Sequence, residues 1–201
     1  PEASVYNWLC DVEWDTPVGR ALACGGDSLV RMNAFEAVDG FRSQLIAGEE
    51  PEFCLRLRQK GWNIWRLEAD MTRHNAAITH FDQWWRRNVR SGYGYAEGFR
   101  LYAGTSAAMW RRELTRAVIW GGLMPLAILV ATSVNLIAIL GILIYPLQVG
   151  KIALHQRAMG PRSWTYALFI TLAKFAEFQG ILKYLWQRWC GIAGVLIEYK
   201  K

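Results

Sequence analysis

An uncharged apolar run from residue 117 to 149 constrains this chain more than any other feature of its sequence. As one straight helix the run would be ~50 Å long. The hydrocarbon core of a bilayer is only ~30 Å thick, and a full helical crossing needs ~20 residues, so the length lies between one crossing and two. We predict a membrane hairpin that turns near Thr132 to Asn135, with a single long tilted transmembrane helix as the alternative.

Basic residues flank this run on both sides. They are, in chain order, Arg111, Arg112, Arg116, Lys151, Arg157 and Arg162. Cytoplasmic flanks carry the excess of Lys and Arg, so both ends of the run are expected in the cytoplasm, which favours the hairpin. The net charge of +6 therefore indicates membrane lipids as partners and not nucleic acid. We expect the chain in the inner (cytoplasmic) membrane.

Composition divides the rest of the chain. A charged, water-soluble part comes first, followed by a stretch in which Phe81, Trp85 and Val89 recur at helical spacing, with interruptions at Gly92 and Gly94. Trp and Arg at such spacing are typical of helices that lie in the membrane interface. We therefore predict four units. They are a soluble unit at 1–77, interfacial amphipathic helices at 78–116, the membrane segment at 117–149 and a membrane-associated tail at 150–201.

The soluble unit shows short elements bounded by glycines. ALACGGDSLVRM predicts a strand, a tight turn at Gly25 and Gly26, and a second strand. A short helix is predicted from Asn33, its N-cap, to Gly40. The segment GEEPEFCLRLRQKG predicts a longer helix, because its acids precede its bases and each sign complements the helix dipole. NIWRLEA then predicts a further strand.

The cysteines and the N-terminus bear on the compartment. Cys10, Cys24, Cys54 and Cys190 show no CxxC spacing and are expected to be reduced thiols of a cytoplasmic part. The start of the sequence lacks the basic-then-apolar pattern of a signal peptide. Because it begins at Pro1 without an initiator Met, we expect a processed chain or a fragment.

Several motifs follow one another in a distinctive order. Gly25 and Gly26 precede Arg31, a DGF turn at 39–41, the segment GEEPEFCLRLRQKG, and finally His74. This order resembles the second half of family 2 glycosyltransferases of the GT-A fold, which show a Gly-containing strand, an Arg, a "vGGFde" turn, "gEDxdLxxRLxxxGy" and a His. The resemblance implies an α/β fold, as a partial GT-A-type domain (its acceptor-side half), followed by transmembrane and interfacial helices.

The resemblance also implies roles for individual residues. The catalytic base would be Glu50, where most members have Asp, and Glu49 would be its partner acid at the acceptor site. His74 would help to hold a divalent metal, Mg²⁺ or Mn²⁺. The implied substrate-binding residues in this part are Gly25, Gly26, Asp27 and Arg31. The alternative is structural, with the acids only capping a helix dipole and His74 only ending a strand.

A second motif lies at the start of the interfacial part. QWWRR resembles the QxxRW motif of processive polysaccharide synthases, with Arg87 in place of the final Trp. The resemblance implies that Gln83, Trp84, Arg86 and Arg87 contact substrate. A basic and aromatic interface helix is the alternative.

The family's donor-binding units and DxD metal motif have no counterpart in this sequence, so we expect the donor half to be missing. The expected function is that of a membrane-bound inverting glycosyltransferase in cell-envelope or exopolysaccharide biosynthesis, with its catalytic part facing the cytoplasm. A nucleotide sugar would be the donor, and a saccharide or lipid-linked molecule the acceptor. The alternatives are a polyprenyl-phosphate sugar transferase and a non-catalytic membrane anchor or assembly subunit.

Overall fold

The computed structural model describes residues 4–69, 76–105 and 109–192, and these are predominantly helical. The α-helices are α1 (Val5–Trp14), α2 (Met32–Glu36), α3 (Glu49–Gln59), α4 (Phe81–Leu101), α5 (Arg111–Val118), α6 (Met124–Val134), α7 (Ile144–His155) and α8 (Arg162–Trp189). A π-helical turn (Ile119–Leu123) joins α5 to α6, and 3₁₀ segments (Leu136–Leu143 and Arg157–Met159) precede α7 and α8. The strands are β1 (Gly19–Ala21) and β2 (Ile64–Arg66).

The predicted α/β fold is wrong. The sheet in the described residues has only two strands, β1 and β2, which pair antiparallel with Arg20 opposite Trp65. The expected strands around Gly25 and Gly26 are not formed; the segment is a loop in which Leu29 is 90% exposed. Short apolar runs become strands only where a neighbouring strand pairs with them and buries them, and no such strand lies beside this loop in the described residues.

Two predicted helices of the soluble part are present with altered ends. α2 begins at Met32, so its N-cap is Arg31 and not Asn33, and the turn after it contains Gly40 at φ +61°. A side chain at Gly40 would also collide with the ring of Phe35. α3 occupies the predicted GEEPEF segment, with its acids in the first turn and its bases in the last.

The long helices α4 and α8 pack against each other and form the main body of the described residues. Contrary to the sequence prediction, Gly92 and Gly94 do not interrupt α4. A Cβ at Gly92 would lie 1.9 Å from the carbonyl oxygen of Glu177, and one at Gly180 would lie 2.0 Å from that of Val89. The glycines therefore let the two backbones approach closely, as small residues do in tightly packed helix pairs.

The apolar run forms two helices that meet at Asn135. α6 ends at Val134, and the side chain of Asn135 accepts a hydrogen bond from the backbone N–H of Ile137 at 3.0 Å. This break lies within the segment where the sequence predicts a turn. The two arms contact each other, since the Tyr145 hydroxyl donates to the carbonyl oxygen of Trp120 at 2.8 Å.

Two helices in the described part of the chain are long and apolar enough to cross a membrane. They are Arg111–Val134, with 24 residues, and Leu136–His155, with 20 residues. Both helices extend beyond the uncharged run into its flanks. Each is therefore longer than half of the run, which is all that one arm of a hairpin within the run could use. Their apolar side chains face outwards; Val134, for example, is 86% exposed. Apolar helices exposed in this way indicate association with a membrane.

Candidate active site at the start of α3

The carboxylates expected to carry the chemistry lie at the N-terminus of α3. Gly48 precedes the helix at φ +81°, with the ring of Trp110 packed where a Cβ would be, so glycine is required here on both grounds. Glu49 lies 3.8 Å from the guanidinium of Arg90 on α4. The partly buried carboxylate of Glu50 has no hydrogen-bond or ion-pair partner among the described residues.

The next acid of the same turn, Glu52, has a different environment. It is completely buried, with its carboxylate 2.8 Å from the Nε of Arg42 and 2.8 Å from the Nη2 of Arg56. The hydroxyl of Tyr102, at the end of α4, donates to Glu52 at 2.5 Å. Burial, together with the hydrogen bond to Glu52, raises the pKa of Tyr102 to about 12. Glu52 is thus a structural acid that joins α3 to α4.

Arg56 extends this network to the turn that follows α2. Its guanidinium donates to the carbonyl oxygens of Val38 and Gly40, the latter at 2.7 Å. One partly buried arginine therefore satisfies two turn carbonyls and both oxygens of Glu52. This network fixes the first turn of α3, and with it the position of Glu50.

The segment before α3 is held on the surface of α4. The backbone N–H of Ile46 donates to the Oε2 of Glu97 at 3.2 Å. A Cβ at Gly94 would lie 3.0 Å from the Cβ of Ala47, so the segment sits directly on the backbone of α4. Burial raises the pKa of Glu97 above its ordinary value, and the negative charge of Glu49 adds to the effect.

Two cysteines lie close to the same turn. The sulfur of Cys54 on α3 is 3.3 Å from that of Cys24, and the Cys54 thiol donates to it. This hydrogen bond is the main reason that the pKa of Cys24 is lowered to about 6, while the pKa of Cys54 is raised well above its usual range. The charge of Glu50 acts on Cys24 in the opposite direction. Cys24 immediately precedes the glycine pair of the predicted substrate site.

The predicted substrate-binding residues of the soluble part lie together in the exposed loop between β1 and α2. Gly25, Gly26, Asp27 and Arg31 are all exposed. Nothing lies within 4 Å of a Cβ built at either Gly25 or Gly26. The protein itself therefore does not require glycine at these two positions, which leaves space for another molecule to approach the backbone.

The residues of the QWWRR motif lie in the first turns of α4 and make internal contacts. Gln83 accepts hydrogen bonds from the backbone of Thr79 and His80 and so caps the helix. Trp84 is buried against aromatic rings, among them Phe169 of α8. These contacts favour the structural interpretation for Gln83 and Trp84 over direct substrate binding.

The two arginines of the motif point in different directions. Arg86 is exposed and lies 3.7 Å from Asp82 of the preceding turn, whereas the Nη1 of Arg87 lies 2.7 Å from Glu13 of α1. Arg90, which contacts Glu49, lies one turn beyond Arg86. The structure therefore links the helix that carries the motif to the acids of α3 through Arg90.

The expected metal site cannot be assembled from the described residues. His74 lies outside them, and within residues 4–69, 76–105 and 109–192 no three His, Cys, Asp or Glu side chains are grouped to hold a metal ion. The acids nearest Glu50 do not fit such a role, because Glu49 contacts Arg90 and Glu52 is enclosed by two arginines.

Sequence reasoning missed the residues that organise this site. Glu52 and Arg56 lie four residues apart on a helix, and this spacing predicts an ion pair. It is the one feature of the sequence that points to the buried network. Arg42, Tyr102 and the sulfur pair bring together residues distant in the chain, and no local pattern marks them.

Comparison with protein-family models, with curated proteins and with solved structures finds no match for this chain.

Proposed function

We propose that this chain is part of a membrane-associated inverting glycosyltransferase in which Glu50 is the general base. One observation carries the proposal. Glu50 has an accessible carboxylate without a partner among the described residues, in a helix turn fixed by the buried network of Glu52, while its neighbours Glu49 and Glu52 are paired. The motif order from Gly25 to His74, which resembles family 2 glycosyltransferases, gives the reaction class.

The proposed reaction forms one bond, breaks another and transfers one proton. The oxygen of an acceptor hydroxyl attacks the anomeric carbon of a nucleotide sugar from the face opposite the leaving group. A new glycosidic C–O bond forms, the bond to the nucleoside diphosphate breaks, and the hydroxyl proton passes to Glu50. General-base assistance of this kind contributes roughly a hundredfold to ten-thousandfold in rate. A carboxylate without an ion-pair partner suits the role, because no cation has to be displaced before it takes the proton.

The surroundings of Glu50 support an acceptor approaching over the surface of the soluble part. The loop with Gly25, Gly26, Asp27 and Arg31 is exposed and open to solvent. Two helices long and apolar enough to cross a membrane support placing this surface close to a bilayer, which fits transfer to an envelope saccharide or a lipid-linked acceptor. Nucleotide sugars are made in the cytoplasm, so we place the catalytic part on that side of the membrane.

The test is sugar transfer by the full-length enzyme that contains this chain, in isolated membranes and followed with radiolabelled nucleotide sugars, because the chain itself has no counterpart of the family's donor half. Glu50→Gln is expected to lower the transfer rate by roughly a hundredfold or more, because the amide cannot accept the proton. Glu50→Asp retains the carboxylate and is expected to transfer faster than Glu50→Gln. Nucleotide-sugar binding should be nearly unchanged in both variants.

Glu36→Gln is the matched control, since Glu36 is an exposed acid at the end of α2 and does not belong to the first turn of α3. It is expected to transfer at the unsubstituted rate. Transfer by Glu50→Gln within about tenfold of that rate contradicts a general-base role and favours a non-catalytic anchor or assembly subunit.

A further inference from the structure

An open cleft of about 350 Å³ lies between the C-terminal parts of α4 and α8, and Glu50 does not line it. The segment that precedes α3 closes one side of it. The polar residues that line the cleft are Arg42, Gln44, Tyr93, Glu97, Arg100, Tyr184 and Arg188. The site proposed above for sugar transfer uses none of them as a catalytic group.

The cleft has an excess of positive charge. Three arginines line it against one carboxylate, that of Glu97, which already accepts the N–H of Ile46. Arg42 is held by Glu52, whereas the guanidinium groups of Arg100 and Arg188 are exposed and have no ion-pair partner among the described residues. Two unpaired guanidinium groups beside a held one are well suited to an anion with several oxygens.

Two tyrosines form a rigid wall of the cleft and connect it to the membrane hairpin. Tyr93 and Tyr184 meet edge to face, with ring centroids 5.2 Å apart. Both belong to a buried cluster that includes Ala117, near the start of the first membrane helix. The residues just before Ala117 include three arginines, so this end of the helix belongs at the level of lipid head groups. The cleft therefore opens close to the membrane surface.

The remaining lining is apolar. Leu45, Leu101 and Ile192 border the cleft, and Leu101 and Ile192 are about half exposed. A small inorganic anion would leave these side chains uncovered. A molecule with a charged head and an apolar tail would cover them while its head contacts the arginines.

We infer that this cleft binds the phosphate group of a membrane lipid, held by Arg42, Arg100 and Arg188 and covered at its edge by Leu101 and Ile192. The inference goes beyond the proposed sugar transfer and does not require it. Anionic lipids concentrate at the cytoplasmic membrane surface, where each nearby Lys or Arg adds to their attraction. The same phosphate chemistry exists in free phosphate, so the experiment has to distinguish the two sources.

Calorimetric titration of the purified chain in neutral detergent tests the inference without any activity measurement. The probes are dioctanoyl phosphatidic acid, dioctanoyl phosphatidylcholine and inorganic phosphate. Phosphatidic acid is expected to bind at least tenfold more tightly than either of the others. The double substitution Arg100→Gln with Arg188→Gln is expected to weaken that binding at least tenfold, and both residues are exposed, so the fold should be retained.

The matched control is Arg111→Gln with Arg112→Gln, which removes two exposed arginines near the membrane that do not line the cleft. It should bind phosphatidic acid like the unsubstituted chain. An equal loss in the control contradicts a defined site and indicates general surface attraction. Equal binding of inorganic phosphate contradicts a lipid ligand, and equal binding of phosphatidylcholine contradicts recognition of the phosphate charge.

Discussion

At the scale of single residues, the three acids at the start of α3 illustrate how burial separates chemically similar groups. Glu49, Glu50 and Glu52 all lie in the first turn, where each complements the helix dipole. Glu52 is fully buried between two arginines, Glu49 contacts one, and Glu50 keeps its carboxylate free of the described residues. Only the last arrangement suits a group that has to take up a proton.

Glu52→Gln is expected to destabilise the protein strongly. The substitution removes the buried charge that compensates Arg42 and Arg56, and breaking a buried ion pair on one side typically costs about 3–5 kcal/mol. Thermal unfolding followed by circular dichroism in detergent measures the effect. Glu36→Gln, at an exposed position, should have the same midpoint temperature of unfolding as the unsubstituted protein. The same midpoint for Glu52→Gln would show that the network adds no stability.

Cys24 is expected to react with iodoacetamide at unusually low pH. Its pKa is lowered to about 6, chiefly by the hydrogen bond from the Cys54 thiol. Since the thiolate is the reactive form, alkylation should be slow below pH 6 and reach its plateau above it. Cys54→Ala removes the donor and should move the midpoint towards the ordinary value of about 8.5.

The readout is mass spectrometry of the alkylated chain in a Cys190→Ser background, which removes an exposed thiol. A midpoint for Cys24 that is the same with and without Cys54 would contradict the assigned cause.

At the scale of elements, the contact between α4 and α8 depends on Gly92, which the sequence pattern presents as a helix interruption, and on Gly180 of α8. A Cβ at Gly92 would meet the backbone of Glu177, so neither helix can accommodate it by a simple side-chain rotation. Gly180 has the same relation to Val89. These residues weaken each helix in isolation, but they are required for the pair.

Gly92→Ala is therefore expected to lower the free energy of unfolding by about 1–3 kcal/mol, the usual cost of overpacking. Gly150→Ala is the control, because nothing lies within 4 Å of a Cβ at this helical position in α7. The control should be neutral or more stable by up to ~1 kcal/mol, since alanine favours a helix. Thermal unfolding decides, and an unchanged midpoint for Gly92→Ala would contradict the close packing of α4 and α8.

At the scale of the whole molecule, local patterns predicted some features of the fold and missed others. The break near Asn135 and the acid-to-base order of α3 are visible in the sequence, because polarity and helix-dipole rules act over a few residues. The α/β fold was wrong, because whether a short apolar run such as that around Leu29 becomes a strand depends on partners far along the chain. The pairing of Glu52 with Arg56 could be predicted because the two residues are neighbours on one helix, whereas Tyr102 reaches Glu52 from fifty residues away and no local pattern marks it. The role of Glu50 stays a prediction.

We propose that a membrane hairpin, Arg111–Val134 with Leu136–His155, holds the helical body, including the α3 carboxylates, on one side of the bilayer. Cysteine accessibility in cells with an intact cytoplasmic membrane tests it, using Ala103→Cys, Ser133→Cys and Gln156→Cys in a background with Cys24→Ser and Cys190→Ser, which removes the two free thiols that are not buried. An impermeant maleimide added outside is expected to label only Ser133→Cys, at the turn of the hairpin, while the other two react after lysis. Labelling of Gln156→Cys but not Ala103→Cys from outside would show a single crossing and contradict the account.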